Sequence, residues 1–154
     1  MKILLAVDDS KFSEAAVQMV ATQNRPDATE VRVLHILEPI EAAFPLMSSV
    51  GYYPPEWARL EKELSERAHH VVEKAAETLR AAGFRADALV RKGITRPDIV
   101  DIAAEWPADL IVLGVHGRRG FEHLLLGSVS EYVARHAKCS VEIVRIPTTQ
   151  KVEP

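Results

Sequence analysis

Residues 112–130 read VLGVHGRRGFEHLLLGSVS, and this stretch decides how the rest of the chain is interpreted. It opens on the end of an apolar run, residues 110–113, which predicts a buried strand. Three glycines at intervals of three and a later Gly-Ser pair follow this run: Gly114, Gly117, Gly120, Gly127 and Ser128. Glycine lets backbone N–H groups approach a ligand closely, and a helix N-terminus carries partial positive charge. The stretch therefore predicts a strand, a glycine-punctuated loop and a helix start that together hold a phosphate.

The composition is that of a soluble globular domain. Of 154 residues, 47% are hydrophobic and 27% are charged, which suits one domain with a sizeable core. The net charge of −3 gives no basic field, so neither nucleic acid nor a membrane surface is an expected partner. No apolar run is as long as a membrane span, and MKILLAVDDS reaches acidic residues too early for a secretory signal. The single cysteine, Cys139, is expected to be an apolar filler, and its inability to form an internal disulfide favours a cytoplasmic location.

Short β-rich runs alternate with longer helical patterns along the chain. The predicted strands are residues 2–7, 31–37, 84–90, 110–113 and 140–146. The predicted helices follow Ser10, span residues 56–82, run from Thr95 to about Trp106, and span residues 128–137. Ser10 and Thr95 are the expected N-caps of their helices, and Gly83 is the expected C-terminal cap of the long helix. This alternation predicts an α/β fold in which one parallel sheet carries helices on both faces.

One segment, residues 39–55, interrupts the alternation. It holds four prolines, which argue against a helix or a central strand. A loop of this length is often a lid or a contact surface, and a mobile surface excursion is the alternative. No second-domain boundary is visible, so residues 1–147 are predicted to form one domain and residues 148–154 a flexible tail.

The glycine pattern differs from two well-known phosphate motifs. The chain has no Gly-Lys-Ser/Thr, which a P-loop needs, and its glycines follow the fourth strand rather than the first. In an open parallel sheet the ligand crevice lies outside the strand ends where the strand order reverses. The loop after strand four is therefore predicted to lie beside the loop after strand one. There Asp8 could accept hydrogen bonds from ribose hydroxyls.

This combination resembles the ATP-binding branch of the universal stress protein family. The resemblance covers nearly the whole chain, including KILLAVDDS, VLHIL, DLIVLGVHGRRG and LLLGSVSEYVARHAKCSVEIVR. The spacing G-x2-G-x9-G-[ST], from Gly114 through Gly117 to Gly127 and Ser128, matches completely. The family implies a Rossmann-like fold of the adenine nucleotide alpha hydrolase type, a five-stranded parallel sheet in the order 3-2-1-4-5.

The resemblance also implies a nucleotide site and an assembly. Its adenosine end would meet Val7, Asp8, Ile36 and Leu113, with Asp8 on the ribose and the last two lining the adenine pocket. Its ribose and phosphates would meet Gly114, His116, Gly117, Gly127, Ser128, Val129 and Ser130. From the residues alone, at least one of Arg118 and Arg119 is expected to be a solvated surface charge, and the other, with Arg118 as the candidate, would help to neutralise the phosphates. Homodimers through the strand at residues 140–146 are common in the family, and the apolar edge there suits that pairing.

Several of these residues have simpler alternative interpretations. The glycines would serve as plain turn residues, Asp8 as a cap of the first helix, and Ser128 as an N-cap. His35 is expected to be a hydrogen-bonded strand histidine rather than a ligand. His69 and His70 lack partners at metal spacing, so any metal is expected to be Mg²⁺ or Mn²⁺ held by the nucleotide phosphates and water.

The sequence thus predicts an ATP-binding (or ADP- or AMP-binding) module of the stress response, with an unknown protein partner. No spacing singles out a base or a nucleophile, so slow ATP hydrolysis, autophosphorylation or a phosphoryl or nucleotidyl transfer is an alternative. A second alternative is an interaction protein that binds no nucleotide. A third, a flavin protein, would need aromatic stacking that only Tyr52 and Tyr53 offer.

Overall fold

In the computed structural model, which describes residues 1–23, 26–117 and 126–146, five parallel strands form one sheet. The strands are β1 (Lys2–Ala6), β2 (Glu30–Leu37), β3 (Arg85–Lys92), β4 (Leu110–Gly114) and β5 (Ser140–Val144). The helices are α1 (Lys11–Gln23), α2 (Ile40–Ala43), α3 (Pro45–Ser49), α4 (Glu56–Ala81), α5 (Thr95–Glu105) and α6 (Ser128–His136). A 3-10 turn covers Pro26–Ala28. The predicted domain covers these elements, and the predicted tail lies outside the described residues.

The sheet has the order β3-β2-β1-β4-β5, so the predicted order is confirmed. β1 lies at the centre, where Leu5 is in register with Val33 of β2 and with Val112 of β4. A central parallel strand is covered on both faces, which explains why β1 and β4 are continuous apolar runs. The reversal of strand order lies between β1 and β4, because β2 and β3 extend to one side and β5 to the other.

Two apolar layers cover the sheet, one on each face. One layer joins α1 and α4 to side chains such as Leu5, Val33 and Val112. The other joins α5 and α6 to side chains such as Leu4, Leu34 and Ile111. All six of these strand side chains are at most 1% exposed, and each contributes about 1.5–3 kcal/mol of burial free energy. The core therefore fixes the sheet edge from which the loops project.

Two predicted helix caps are confirmed. The hydroxyl of Ser10 accepts a hydrogen bond from the N–H of Ser13 (3.3 Å) at the start of α1. At the end of α4, Gly83 has φ +92°, and its N–H donates to the carbonyl of Arg80 (2.9 Å). The N–H of Phe84 donates to the carbonyl of Leu79 (3.0 Å), which completes a Schellman motif.

Two other cap interpretations are wrong, because neither hydroxyl residue occupies the N-cap position of its helix. Thr95 is the first residue of α5 and Ile94 is its N-cap; Asp98 accepts from the N–H of Ile94 at 2.9 Å. Glu38, at the end of β2, accepts from the N–H of Thr95 at 3.1 Å. At α6 the N-cap is Gly127, and Ser128 is the first helical residue.

The expectation that residues 39–55 contain no helix is also wrong. Pro39 immediately precedes α2 and Pro45 is the first residue of α3. A proline at a helix start loses no hydrogen bond, because the N–H there has no intrahelical partner. The prolines of this segment therefore begin short helices rather than prevent them.

An exposed aromatic cluster links this segment to α4. The ring of Phe44 stacks on Trp57 with centroids 5.6 Å apart, and Tyr53 meets the same indole edge-on at 5.8 Å. Leu46 is 83% exposed and Val50 76% exposed, so apolar surface remains open to solvent. The role of the segment as a lid or a contact surface stays a prediction. Across the described parts of the chain, no helix is long and apolar enough to cross a membrane.

Candidate functional site

The carboxyl ends of β1 and β4 meet at one edge of the sheet. Ala6 and Leu113 are in register, so the residues that follow each strand emerge side by side. Asp8 follows β1 and Gly117 follows β4, while α6 begins beside them through a hydrogen bond from Gly127 N–H to the Val115 carbonyl (2.9 Å). The predicted neighbourhood of Asp8 and the glycine loop is therefore confirmed.

The side chain of Asp8 is fixed by the first turn of α1. Its Oδ1 accepts hydrogen bonds from the N–H of Ser10 (3.0 Å) and from the hydroxyl of Ser13 (2.8 Å). The N–H of Asp8 donates in turn to Ser13 Oγ at 2.9 Å. Asp8 thus supports the helix start, as the simpler interpretation of this residue predicted, but only one of its oxygens makes these bonds.

The other oxygen of Asp8 lies against Gly117. A Cβ built at Gly117 would come within 2.9 Å of Asp8 Oδ2, and no other atom of the described residues outside its chain neighbours would lie within 4 Å. Residue 117 is itself exposed to solvent. The missing side chain therefore lets the loop lie close to the carboxylate, and a ribose contact of Asp8 stays a prediction.

At the other two glycines of the motif, close packing leaves no room for a side chain. A Cβ at Gly114 would lie 2.6 Å from Phe12 Cβ and 2.8 Å from the Phe12 carbonyl carbon. At Gly127 a Cβ would lie 3.0 Å from the Val115 carbonyl oxygen. Close packing of backbone segments thus accounts for the missing side chains of Gly114 and Gly127. Nucleotide contacts by their backbones stay predictions.

The start of α6 faces the same edge. Gly127 has no side chain to cap the helix, so the N–H groups of the first turn receive no cap from their own N-cap residue. Ser128 is exposed and Val129 half-buried, whereas Ser130 is 2% exposed. The Ser130 hydroxyl lies 2.9 Å from both the Val115 and the Gly127 carbonyl oxygens. It therefore fastens the loop to the helix, and a phosphate contact of Ser130 remains a prediction for its backbone N–H.

His116 is buried between the loop and α1. Its side chain packs edge-on against Phe12, with ring centroids 5.3 Å apart, and the residue is 7% exposed. Within the described parts of the chain, its Nδ1 has no hydrogen-bond partner. An unpaired buried polar atom costs about 1–3 kcal/mol. The imidazole lies beneath the loop rather than on its surface.

The apolar residues assigned to an adenine pocket divide between the two layers. Ile36 and Leu113 lie in the α5–α6 layer together, at 7% and 3% exposure. The side chain of Val7 lies in the opposite layer, and its N–H donates to the Leu34 carbonyl at 2.9 Å. The Val7 carbonyl lies 2.7 Å from Nδ1 of His35, which must therefore carry the proton. The prediction of a satisfied His35 is confirmed.

Three residues near the edge were not predicted as part of it. Phe12 explains Gly114, Ser13 holds Asp8, and Lys11 places its ammonium 5.2 Å from the Phe12 ring centroid. The polar run Asp-Asp-Ser before α1 could have indicated that this helix start belongs to the site. The sequence alone does not show which serine hydrogen-bonds to the residue after β1. Arg118 and Arg119, predicted for the phosphates, lie outside the described residues.

The chemistry of the edge fits an adenine nucleotide. A carboxylate oxygen faces the loop, a helix start carries N–H donors, and apolar side chains lie below. The described residues include no group of three or more histidine, cysteine or acidic side chains able to hold a metal ion.

Comparison with known proteins gives consistent results along the whole chain. Residues 1–145 match the universal stress protein family. The chain is 30% identical over 152 residues to universal stress protein MJ0577 of Methanocaldococcus jannaschii, covering 94% of each chain. It superimposes on the solved structure of MJ0577 with a TM-score of 0.80, over 96% of this chain and 97% of the other.

Two other solved structures share the fold at lower identity. The universal stress protein of Archaeoglobus fulgidus, in complex with dAMP, has a TM-score of 0.65 at 24% identity, covering 94% of this chain and 98% of its own. A family protein of Arabidopsis thaliana, with AMP bound, has a TM-score of 0.68 at 19% identity, covering 96% and 92%. With the family match and the MJ0577 identity, the conclusion is that this chain belongs to the universal stress protein family.

Proposed function

We propose that this protein binds ATP, or another adenine nucleotide, between Asp8 and the start of α6, and acts as a nucleotide-dependent module of the stress response. The observation that carries the proposal is the 2.9 Å approach of Asp8 Oδ2 to the Cβ position of Gly117. It places the carboxylate against Gly117, a residue without a side chain. The nearby loop residue Val115 accepts a hydrogen bond from Gly127, the N-cap of α6. The dAMP- and AMP-bound relatives support an adenine nucleotide as the ligand.

In this proposal each part of the nucleotide meets a different part of the edge. The ribose meets Asp8, the adenine meets the apolar surface of Ile36 and Leu113, and the phosphates meet N–H groups from Gly127 to Ser130. One helix-terminus contact contributes roughly 0.3–1 kcal/mol, and up to about 2 kcal/mol when partly buried. A useful affinity for the nucleotide therefore needs several N–H donors that converge on the phosphates. Mg²⁺ or Mn²⁺ would be held by the phosphates and by water.

Assembly and location belong to the same proposal. We expect homodimers through the edge strand β5, where Val141, Ile143 and Val144 are partly buried apolar residues. We expect a cytoplasmic protein whose nucleotide occupancy changes the surface offered to a protein partner.

Calorimetric titration with ATP and Mg²⁺ tests the nucleotide proposal. The informative variant is Gly117→Val, because its side chain would enter the space beside Asp8 Oδ2 without meeting backbone. Its matched control is Ala28→Val, which places the same valine side chain at an exposed residue at the opposite end of the sheet. We expect wild type and Ala28→Val to bind equally, and Gly117→Val to bind at least about tenfold more weakly, a loss of 1.4 kcal/mol or more. All three should unfold at similar temperatures.

Other outcomes point to the alternative functions. Equal affinity of Gly117→Val and wild type would contradict the site. No binding by wild type, together with no nucleotide in mass spectra of the purified protein, would favour an interaction protein without a ligand. Multiple turnover of ATP with a defined acceptor would favour an enzyme.

A further inference from the structure

Exposed hydrophobic side chains are concentrated in one segment of the chain. Of the ten large hydrophobic side chains that are exposed in the described parts of the chain, seven lie between residues 44 and 60. These are Phe44, Leu46, Met47, Val50, Tyr52, Tyr53 and Leu60. Single exposed apolar side chains are ordinary on a protein surface, whereas several together mark a site of interaction. The segment is therefore a candidate docking surface.

The half-buried indole of Trp57 brings several of these side chains together. Phe44 stacks on it with centroids 5.6 Å apart, and Tyr53 meets it edge-on at 5.8 Å. Leu60 follows Trp57 by three residues in α4, so both lie on one face of that helix. We call Trp57 and the seven exposed side chains the Trp57 surface. Aromatic side chains of this kind carry much of the binding energy in protein interfaces.

Backbone hydrogen bonds hold the segment in one shape. The N–H of Gly51 donates to the Ser48 carbonyl at 3.0 Å, and the N–H of Tyr52 donates to the Met47 carbonyl at 3.0 Å. Ile40, at 6% exposure, anchors the start of the segment in the protein interior. A partner would therefore meet a surface that is already ordered, and little ordering entropy would be lost on binding.

The charges of the segment are acidic, which disfavours two possible occupants. Between Arg32 and Arg59 the sequence has three glutamates and no lysine or arginine. Glu41 and Glu56 are exposed, and the charge of Arg59 is offset by Glu63 at 3.1 Å. A symmetric contact between two copies would bring this acidic surface against itself. An anionic membrane would repel it in the same way.

We propose that the Trp57 surface docks an amphipathic, positively charged segment of a partner protein. The apolar side of that segment would cover exposed side chains such as Leu46 and Val50. Its lysine or arginine residues would meet Glu41 and Glu56, which supplies the complementary charge. No step of this inference depends on the nucleotide, so it stands or fails separately from the proposed function.

The probe is a fluorescein-labelled peptide of leucine and lysine, about 14 residues long, whose leucines share one face of a helix. A second peptide carries glutamate in place of every lysine. Fluorescence anisotropy measures the binding of each peptide to the full chain. We expect the cationic peptide to bind wild type with a Kd of about 100 μM or lower, and the acidic peptide to bind at least about tenfold more weakly.

Leu46→Ser tests the apolar part of the surface. Leu46 is 83% exposed, so the change should leave the melting temperature close to that of wild type. The matched control is Ile146→Ser, which replaces an isomeric side chain at an exposed residue after β5. We expect Leu46→Ser to bind the cationic peptide at least about fivefold more weakly than wild type, and Ile146→Ser to stay within about twofold.

The double variant Glu41→Gln/Glu56→Gln tests the charges. Its matched control, Glu77→Gln/Asp101→Asn, removes the same net charge at exposed residues of α4 and α5. At low salt we expect the first double variant to bind the cationic peptide at least about threefold more weakly, and the control to stay within about twofold. Added salt should weaken wild type more than the first double variant, because salt screens exposed charges.

Other results would overturn the inference. A weaker Kd of wild type, equal affinity of Leu46→Ser and wild type, or equal weakening of both double variants would show that the Trp57 surface does not select the peptide. A dimer that Leu46→Ser converts into a monomer would assign the surface to a second copy. Binding of wild type, but not of Leu46→Ser, to vesicles of phosphatidylserine and phosphatidylcholine would assign it to a membrane. A loss of ATP affinity of about tenfold in Leu46→Ser would make the segment a lid of the nucleotide site instead.

Discussion

Gly114, the last residue of β4, lies directly against Phe12, the second residue of α1. A Cβ at Gly114 would come within 2.6–2.9 Å of the Phe12 Cβ, carbonyl carbon and carbonyl oxygen. Two of these atoms belong to the backbone, so no change of the Phe12 rotamer would relieve the contact. The glycine lets α1 cross the end of β4 at close range, which brings Asp8 and Gly117 together.

Gly114→Ala should therefore destabilise the fold. We expect the free energy of unfolding to fall by about 1–3 kcal/mol, as for other overpacked sites, because α1 or β4 must shift. Urea denaturation followed by circular dichroism measures the change. Gly117→Ala is the control, since among the described residues its Cβ would meet only a carboxylate oxygen and no backbone, and it should lose less stability than Gly114→Ala. Equal stability of all three proteins would show that α1 is not closely packed on β4.

The sequence was enough to predict the sheet and the neighbourhood of the site. Continuous apolar runs predict central parallel strands, and parallel strands bring Asp8 and the glycine loop to one edge. The sequence was not enough to explain why each of these positions must be glycine. The residues that contact Gly114 and Gly117 lie more than one hundred residues away along the chain. Phe12 and Asp8 come from the first strand and helix, and only folding places them there.

Helix starts were the other limit of prediction. Thr95 has the preferred chemistry of an N-cap, yet Asp98 and Glu38 satisfy the α5 start instead. Glu38 reaches it from the end of another strand, which a local pattern does not contain. Pro39 and Pro45 were expected to exclude helices and instead begin them, since proline is unfavourable inside a helix but not at its first turn.

Cys139 offers a test of pH dependence. Burial raises the pKa of its thiol, as does the charge of Asp109, against lowering by backbone hydrogen bonds of Cys139 and Ile111. The fold therefore holds the thiol proton to higher pH than the unfolded chain does. This contribution to stability is present below the ordinary thiol pKa and is lost as the pH rises through the raised value.

We accordingly expect slow alkylation of the folded protein near pH 8. Iodoacetamide should modify the urea-unfolded chain faster, because a larger fraction of its thiol is ionised and exposed. Because the sequence has a single cysteine, the rate reports on that thiol alone. A folded protein that reacts as fast as the unfolded one would contradict the raised pKa.

The β5 edge predicts how a homodimer would be broken. The carbonyl of Val144 accepts from the Val115 N–H at 2.9 Å, so the backbone groups of Val144 point toward β4. Those of Ile143, the preceding residue, point away from the sheet, where a second copy would pair. Ile143→Pro removes this outward N–H and should convert a dimer into a monomer.

Light scattering after size-exclusion chromatography measures the mass of each form. Ile143→Ala is the control, since it shortens the same side chain but keeps the N–H, and it should remain dimeric. Wild type at the mass of one chain would contradict the homodimer, and a dimeric Ile143→Pro would place the interface elsewhere. Circular dichroism of each variant verifies that the sheet is intact.

Metal dependence should follow the phosphates of the ligand. In the proposed site the metal is held by the nucleotide phosphates and by water, so the protein alone should give no heat when titrated with MgCl₂. ATP should bind more weakly in EDTA than in Mg²⁺, because the metal neutralises phosphate charge near the start of α6. Adenosine, which has no phosphate, should bind equally in both buffers. Tight Mg²⁺ binding without nucleotide, or an equal effect of EDTA on ATP and adenosine, would mean that the metal is held by the protein itself.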